Sequence, residues 1–189
     1  MIIKLLLIIL NYLLGSLMFS YWFGKLIGKD IREYGDKNPG SANALKAGGW
    51  KIGVPAMLLD FLKGAIPLAI IKHHLALDYW LVPIAIAPVI GHAFSPFLKF
   101  KGGKAIATSF GVWTALTQWR VPIILGAAFL FGKSILKIKN DAWTAIFGFI
   151  IATLVVIILF RNTELTIISI LNLIVISYKH FPDLNIKKA

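Results

Sequence analysis

The sequence predicts an all-α, polytopic integral membrane protein in which residues 1–189 form one membrane-embedded domain. Its hydrophobic fraction is 58% and its charged fraction only 15%, whereas soluble domains average about 45–50% apolar and about 25% charged residues. Apolar runs of membrane-spanning length recur along the chain, and the basic residues gather between alternate runs. The chain has no cysteine, which excludes disulfides, thiolate metal sites and cysteine nucleophiles.

Seven apolar segments are predicted to cross the bilayer, because a spanning helix needs about 20 mostly apolar residues. The first segment lacks a cleavage pattern and is longer than the apolar core of a signal peptide, so we expect it to be retained. The fourth and fifth are each short, but joined they would be too long for one helix, and Arg120 and Pro122 supply a turn between them. The segments are 2–23, 52–71, 80–98, 105–119, 121–136, 143–160 and 165–178.

The basic residues predict the orientation, because Lys and Arg accumulate in the cytoplasmic loops of membrane proteins. With the N-terminus outside, fifteen of the twenty Lys and Arg residues fall in inner loops and the C-terminus is cytoplasmic. The outer loops then hold Lys72, Arg120 and Arg161. Topology therefore explains most of the net charge of +12, and no nucleic-acid partner is predicted.

The first inner loop, residues 28–47 (GKDIREYGDKNPGSANALKA), is rich in Gly, Asn, Asp and Ser. These residues favour turns and helix caps. Asn38, Pro39 and Gly40 predict a turn, and Ser41 or Asn43 is a candidate cap for a following helix. Composition alone leaves two interpretations open, an ordinary membrane loop and a binding loop.

The second inner loop, residues 91–108 (GHAFSPFLKFKGGKAIAT), contains two adjacent glycines between two lysines just before an apolar helix. We call Lys101, Gly102, Gly103 and Lys104 the glycine loop. Glycines let backbone N–H groups approach a ligand, and a helix N-terminus favours an anion. The spacing is not that of a Walker A loop. The pattern predicts either a phosphate cradle or a basic loop that pins the helix to the inner leaflet.

The remaining titratable residues give weaker signals. Asp60 and Lys63 lie three apart on one helical face, which predicts an internal ion pair, since ionisable residues within a membrane are usually paired. A lone His92 is more often structural than catalytic, and His180 and Asn185 lie in a basic tail that is uninformative alone. Neither a metal-ligand spacing nor a Ser-His-Asp order is readable. Any chemistry would therefore rest on cationic positioning of anionic substrates.

Taken together, the two loops resemble the motifs of the bacterial acyl-phosphate:glycerol-3-phosphate acyltransferases. GKDIREYGDKNPGSANALK is similar to the first motif region, LLDFLKGAIP to a stretch on the second helix, and KHFPDLNIKK to a distorted third motif. The closest match is the second motif, and the resemblance covers nearly the whole chain. The matching residues there are Gly91, His92, Phe94, Pro96, Phe97, Lys101, Gly102, Gly103, Lys104, Ala107 and Thr108.

The resemblance implies that the 1-hydroxyl of glycerol 3-phosphate attacks an acyl phosphate, giving lysophosphatidic acid and inorganic phosphate. It implies a multi-pass protein of the bacterial plasma membrane with a cytoplasmic site, membrane lipid as a partner, and no cofactor or metal. The sequence leaves the oligomeric state open and is compatible with a monomer. Transferred from the family, the catalytic candidates are Lys46, His180 and Asn185. The substrate-binding candidates are Asn38, Gly40, Asn43, His92, Lys101, Gly102, Gly103 and Lys104.

The chain departs from the family pattern at three places. Asp36 stands where the first motif has serine, Lys46 replaces an arginine and loses its bidentate fork, and Phe181–Asp183 are extra residues in the third motif. These departures keep open an inactive or repurposed relative that binds an anionic lipid or partner. An anion transporter is a third alternative, although no internal repeat supports it. The general base is unassigned, and the phosphate of the substrate is the candidate.

Overall fold

The computed structural model describes residues 1–184, and over that range the chain is all-α, as predicted. Short 3₁₀ turns join several of the helices, and a π-helical segment, Val156–Phe160, continues the eighth. The helices are α1 (Ile2–Ser16), α2 (Phe19–Leu26), α3 (Ser41–Gly48), α4 (Trp50–His74), α5 (Leu81–Ala93), α6 (Ile106–Thr117), α7 (Arg120–Ser134), α8 (Asp141–Val155) and α9 (Thr163–His180).

Five helical segments within residues 1–184 are long and apolar enough to cross a membrane. They are Ile2–Leu26, which joins α1 and α2, Trp50–His74, Asp78–Leu98, Asp141–Phe160 and Thr163–Asp183. Helices α6 and α7 have 12 and 15 residues. At about 1.5 Å per residue, they fall short of a hydrocarbon core of about 30 Å. The predicted number of seven spans therefore stays a prediction.

The turn expected between the fourth and fifth segments is present. Gln118 and Trp119 both have positive φ, 50° and 74°, and this left-handed pair ends α6 and reverses the chain into α7. Pro122 lies in the first turn of α7, where its missing N–H leaves no gap in the helix. The sequence correctly separated two short helices here.

Helices α4 and α6 are in backbone contact because each has a glycine at their crossing. A Cβ on Gly64 would overlap the carbonyl of Thr108, and a Cβ on Gly111 would overlap the carbonyl of Phe61. Small residues permit such approach between helices in a membrane. The crossing sets the first turn of α6 against the middle of α4, where Asp60 lies.

A buried polar bridge joins α6 to α9. The indole N–H of Trp113 donates to Asn172 Oδ1 at 2.9 Å, and Asn172 Nδ2 donates to Ser109 Oγ at 2.8 Å. All three side chains are buried among apolar neighbours, and a buried polar network of this kind favours one helix register when its members are satisfied. The bridge therefore sets the position of α9, whose C-terminal end forms part of the candidate site.

Candidate active site

A cavity of about 570 Å³ opens where three distant segments meet: the connection from α2 to α3, the connection from α5 to α6, and the end of α9. Five of its lining residues are cationic and four are aromatic. The cations are Arg32, Lys37, Lys101, Lys104 and Lys179, and the aromatic residues are Phe94, Phe100, Tyr178 and Phe181.

A smaller cavity of about 120 Å³ adjoins the first and reaches deeper, to Asp60 and His92. Asp36, Asn38 and Lys104 line both cavities, so they form the boundary between the two. The remaining lining residues come from the start of α3 and the start of α6, and they include the predicted site residues Gly40 and Asn43.

The glycine loop packs directly on the end of α5. The Gly103 N–H donates to the His92 carbonyl at 2.9 Å. A Cβ on Gly102 would overlap that carbonyl, and a Cβ on Gly103 would overlap the His92 ring. Both glycines are therefore required for contact with α5 as well as for any approach to a ligand, and Lys104 follows at the N-terminal side of α6.

Lys104 lies between two carboxylates. Its ammonium is 2.5 Å from Asp36 Oδ2 and 2.5 Å from Asp183 Oδ2. Burial acts to lower the pKa of Lys104, but the hydrogen bonds with Asp183 and Asp36 outweigh it and leave the pKa above its usual value. Burial likewise acts to raise the pKa of Asp36, and Lys104 outweighs it, so that pKa is lowered. Both groups are therefore charged at neutral pH.

Asn43 fixes the shape of the first loop beside this contact. Its Nδ2 donates to Asp36 Oδ1 at 2.7 Å and to the Asn38 carbonyl at 2.8 Å. The Asn38 N–H also donates to Asp36 Oδ1, at 3.2 Å. Asn38 Oδ1 is buried without a hydrogen-bond partner among residues 1–184, so it is an acceptor available to a ligand in either cavity.

Beneath the smaller cavity lies the ion pair that the sequence predicted. Lys63 Nζ is 2.7 Å from Asp60 Oδ1. The same ammonium donates at 2.5 Å to the carbonyl of Leu17, which lies at the break between α1 and α2. Ser20 Oγ donates to Asp60 Oδ2 at 2.7 Å, and Thr108 Oγ1 donates to the Asp60 carbonyl at 2.9 Å. Contacts from α2, α4 and α6 thus converge on one buried aspartate.

His92 faces the same aspartate, but without a hydrogen bond. Its Nδ1 is 3.8 Å from Asp60 Oδ1 and has no hydrogen-bond partner among the described residues. The side chain is buried and lines the smaller cavity. Together with Asn38 Oδ1, it places two unsatisfied polar atoms at the smaller cavity, where a ligand can satisfy them.

Three functional candidates were not singled out from the sequence: Arg32, Lys179 and Asp183. Arg32 makes a paired contact with Asp30 and lies over the Tyr21 ring, and the Arg32 hydrogen bonds hold the pKa of Asp30 well below its ordinary value. Lys179 donates to the carbonyls of Ala93 and Gly102, both at 3.0 Å. The sequence signals for these residues were the charge of Arg32 and Lys179 in the basic loops and tail, and the position of Asp183 among the extra residues of the third motif.

Two of the three predicted catalytic residues, Lys46 and His180, line neither cavity. Lys46 is exposed on α3, with its ammonium beside Gly35. His180 is buried, and its Nδ1 contacts the Ile176 carbonyl of its own helix at 2.8 Å. Asn185 lies outside the described residues. Residues 1–184 contain no group of three or more His, Asp or Glu side chains arranged to hold a metal ion.

Fold and cavity together define a class, helical membrane proteins whose connecting loops build a basic cavity at one end of the bundle. The chain belongs to the glycerol-3-phosphate acyltransferase family, whose sequence description matches residues 5–188. The family resemblance of the sequence motifs is thereby confirmed.

Similar proteins cover nearly all of the chain. Glycerol-3-phosphate acyltransferase 1 of Thermotoga maritima is 39% identical over 189 residues, with 92% of each chain covered. The crystal structure of PlsY, an integral membrane glycerol 3-phosphate acyltransferase, in its glycerol 3-phosphate form superimposes with a TM-score of 0.88 at 33% identity. That match covers 96% of this chain and 90% of the other. The lysophosphatidic acid form of PlsY gives a TM-score of 0.85 at 32% identity over the same shares.

Proposed function

We propose that this chain transfers an acyl group from acyl phosphate to the 1-hydroxyl of glycerol 3-phosphate, the first step of phospholipid synthesis. The observation that carries the proposal is the pair of adjoining cavities with Lys104 between them. One is wide, cationic and aromatic, and the other is small and reaches the buried side chains of Asp60 and His92. Both proposed substrates carry phosphate, and both products of the transfer, lysophosphatidic acid and inorganic phosphate, do so too.

For the acceptor, we propose that the phosphate of glycerol 3-phosphate lies at Lys101 and Lys104, at the glycine loop. Its hydroxyls then extend toward Asn38 Oδ1 and His92 Nδ1, the two unsatisfied buried atoms of the site. A buried polar atom that a ligand hydroxyl satisfies discriminates against analogues without that hydroxyl. All eight predicted binding residues lie in the two cavity walls or the glycine loop, and Asn43 also supports the first loop.

For the donor, we propose that the acyl phosphate head lies on the same basic wall and that its chain follows Phe94, Phe100 and Tyr178. In the transfer, the acceptor oxygen bonds to the acyl carbon, the bond from that carbon to the phosphate oxygen breaks, and inorganic phosphate leaves. The hydroxyl proton passes to a phosphate oxygen of the donor. The acyl group arrives activated, so no protein nucleophile or cofactor is needed in this scheme.

We also propose seven membrane passes, with the N-terminus outside and the C-terminus and site on the cytoplasmic side of a bacterial plasma membrane. Helix α6 is only about 18 Å long, so the glycine loop would lie below the membrane surface, within reach of a donor dissolved in the inner leaflet. Because the chain lacks cysteine, the variants Lys139→Cys and Lys72→Cys each carry one cysteine, and each can be labelled in intact cells. Labelling of position 139 from outside would contradict this orientation.

The transferase proposal is tested with purified protein in lipid vesicles supplied with acyl phosphate and glycerol 3-phosphate. We expect phosphate release that depends on the acceptor and falls at least a hundredfold in Lys104→Ala, because the variant removes the charge between the two cavities. Lys51→Ala, an exposed lysine that lines neither cavity, is the matched control and should stay active. Well-folded wild-type protein that releases no phosphate beside an active relative would support the inactive alternative, which the Asp36 contact with Lys104 favours.

A further inference from the structure

Lys104 is held by carboxylates from two segments that are far apart in the sequence. Asp36 lies in the connection from α2 to α3, and Asp183 follows α9. Both contacts measure 2.5 Å, and the three side chains are only 20%, 36% and 19% exposed for Lys104, Asp36 and Asp183. The two aspartates thereby join opposite walls of the larger cavity through one ammonium group.

This contact opposes phosphate binding. An ammonium has three N–H donors, and two of those on Lys104 point to carboxylates. A phosphate that approaches the third donor meets two like charges within a few ångströms. Two of the neighbouring cations are engaged elsewhere, Lys179 with two backbone carbonyls and Arg32 with Asp30. The exposed Lys37 and Lys101 can add to phosphate binding, but they do not relieve the repulsion at Lys104. Phosphate must therefore displace a carboxylate to reach Lys104.

The two carboxylates differ in how firmly they are held. Asp36 Oδ1 accepts from Asn43 Nδ2 and from the Asn38 backbone, so the side chain keeps its position without Lys104. The Asp183 carboxylate has Lys104 as its single hydrogen-bond or ion-pair partner within residues 1–184. It lies on a short 3₁₀ turn, Phe181–Asp183, whose backbone is held by the Asn140 Nδ2 donor at the Asp183 carbonyl (2.9 Å), so displacement requires rotation of the side chain only. Asp183 is therefore the carboxylate that phosphate displaces from Lys104.

We propose that Asp183 is a displaceable clasp on Lys104, which sets the affinity for phosphate-bearing ligands and favours their release, while Asp36 remains in place to position the lysine. This inference rests on the proposed function, because it takes Lys104 as the phosphate contact. Binding of the acceptor detaches the end of α9 from the first loop. After transfer, Asp183 competes with the product phosphate for Lys104 and returns the site to its closed state.

The test compares wild type with Asp183→Asn, which keeps the shape of the side chain and removes its charge. We expect the KM for glycerol 3-phosphate and the inhibition constant of inorganic phosphate to fall together, each by about two- to fivefold, the effect of one partly exposed ion pair. Asp78→Asn, at the opposite end of the bundle, is the control and should change neither. A merely structural tether would instead raise the KM, or leave the phosphate inhibition unchanged, and either result overturns the clasp.

A binding measurement separates failure of this inference from failure of the transferase proposal. Calorimetric titration with inorganic phosphate needs no turnover, and Asp183→Asn should bind phosphate about two- to fivefold more tightly than wild type. An inactive wild-type protein that still shows this difference would contradict the transferase and leave the clasp standing. Equal phosphate affinity in the two folded proteins would contradict the clasp whatever the activity.

Discussion

Two Asp–Lys contacts lie on either side of the smaller cavity and use the same chemical groups in different surroundings. Beneath the cavity, Lys63 and Asp60 are 2.7 Å apart with side chains only 3% and 1% exposed. At its mouth, Lys104 is 2.5 Å from Asp36, and these side chains are 20% and 36% exposed. The distances are similar, so burial is what separates the two contacts.

Burial decides whether such a contact can exchange its partner. Removal of one member of a buried pair leaves an uncompensated charge and destabilises by about 3–5 kcal/mol. Asp60 and Lys63 also satisfy Ser20 and the Leu17 carbonyl. The pair at the mouth is partly hydrated, and such pairs contribute only about 0–1 kcal/mol. The inner pair therefore fixes helices, whereas the outer lysine can pass from carboxylate to phosphate.

The largest expected effect comes from breaking the inner pair. Asp60→Asn should lower the free energy of unfolding by about 3–5 kcal/mol, because Lys63 is left charged and buried. The measurement is thermal or denaturant unfolding in detergent micelles. The double variant Asp60→Asn, Lys63→Met removes the orphaned charge and should be more stable than Asp60→Asn alone. Strictly additive losses would show that the pair does not act as a unit.

The next largest effect comes from a substitution in the glycine loop that leaves the charges of both Asp–Lys contacts unchanged. Gly102→Ala should lower kcat/KM by about tenfold or more, because the new methyl group overlaps the His92 carbonyl and overpacking typically costs about 1–3 kcal/mol. It displaces Lys104 relative to Asp60 and leaves both ion pairs chemically intact. Gly126→Ala on α7 is the control, since its Cβ meets nothing within 4 Å. Equal activity in both variants would contradict the packing role of the glycine loop.

The smallest effect concerns pH. Because the pKa of Asp36 is lowered, the contribution of Asp36 to stability is complete above the ordinary aspartate pKa of about 3.9. That contribution is lost as the pH falls through the lowered pKa. Because the pKa of Lys104 is raised, the contribution of Lys104 to stability is complete below the ordinary lysine pKa of about 10.4. That contribution is lost as the pH rises through the raised pKa. Between about pH 5 and pH 9 the contact at the mouth should therefore stay constant.

Activity profiles check this prediction. Wild type and Asp36→Asn should show parallel dependence of kcat/KM on pH between about 6 and 9, since neither Asp36 nor Lys104 titrates there. Any common change near pH 6 would belong to the phosphate of the substrate, whose second ionisation lies there. A step present in wild type and absent in Asp36→Asn would show that Asp36 titrates within this range.

The sequence predicted the features that depend on local pattern. Apolar run length gave the all-α class, Arg120 and Pro122 separated α6 from α7, and the i,i+3 spacing of Asp60 and Lys63 gave the inner pair. Each of these signals lies within one continuous stretch of the sequence. The Lys-Gly-Gly-Lys pattern likewise located the loop that precedes α6.

The outer contact could not be predicted in the same way. Asp36, Lys104 and Asp183 meet only because the α4–α6 crossing and the bridge from α6 to α9 bring three loops to one end of the bundle. No periodicity encodes such a meeting. Asp36 was recognised as a departure from the family pattern and Lys104 as a binding candidate, but the contact between them was not predicted. Catalytic roles for Lys46 and His180 remain predictions, since neither lines the two cavities.

The most direct test of the account is an experimental structure of this protein with glycerol 3-phosphate bound. We predict a phosphate oxygen about 2.7–2.9 Å from Lys104 Nζ, the Asp183 carboxylate turned away, and the contacts of Asp36 with Asn43 and of Asp60 with Lys63 unchanged. Phosphate bound elsewhere, with Lys104 still held by both aspartates, would contradict the central claim that the outer lysine exchanges its partner while the inner pair does not.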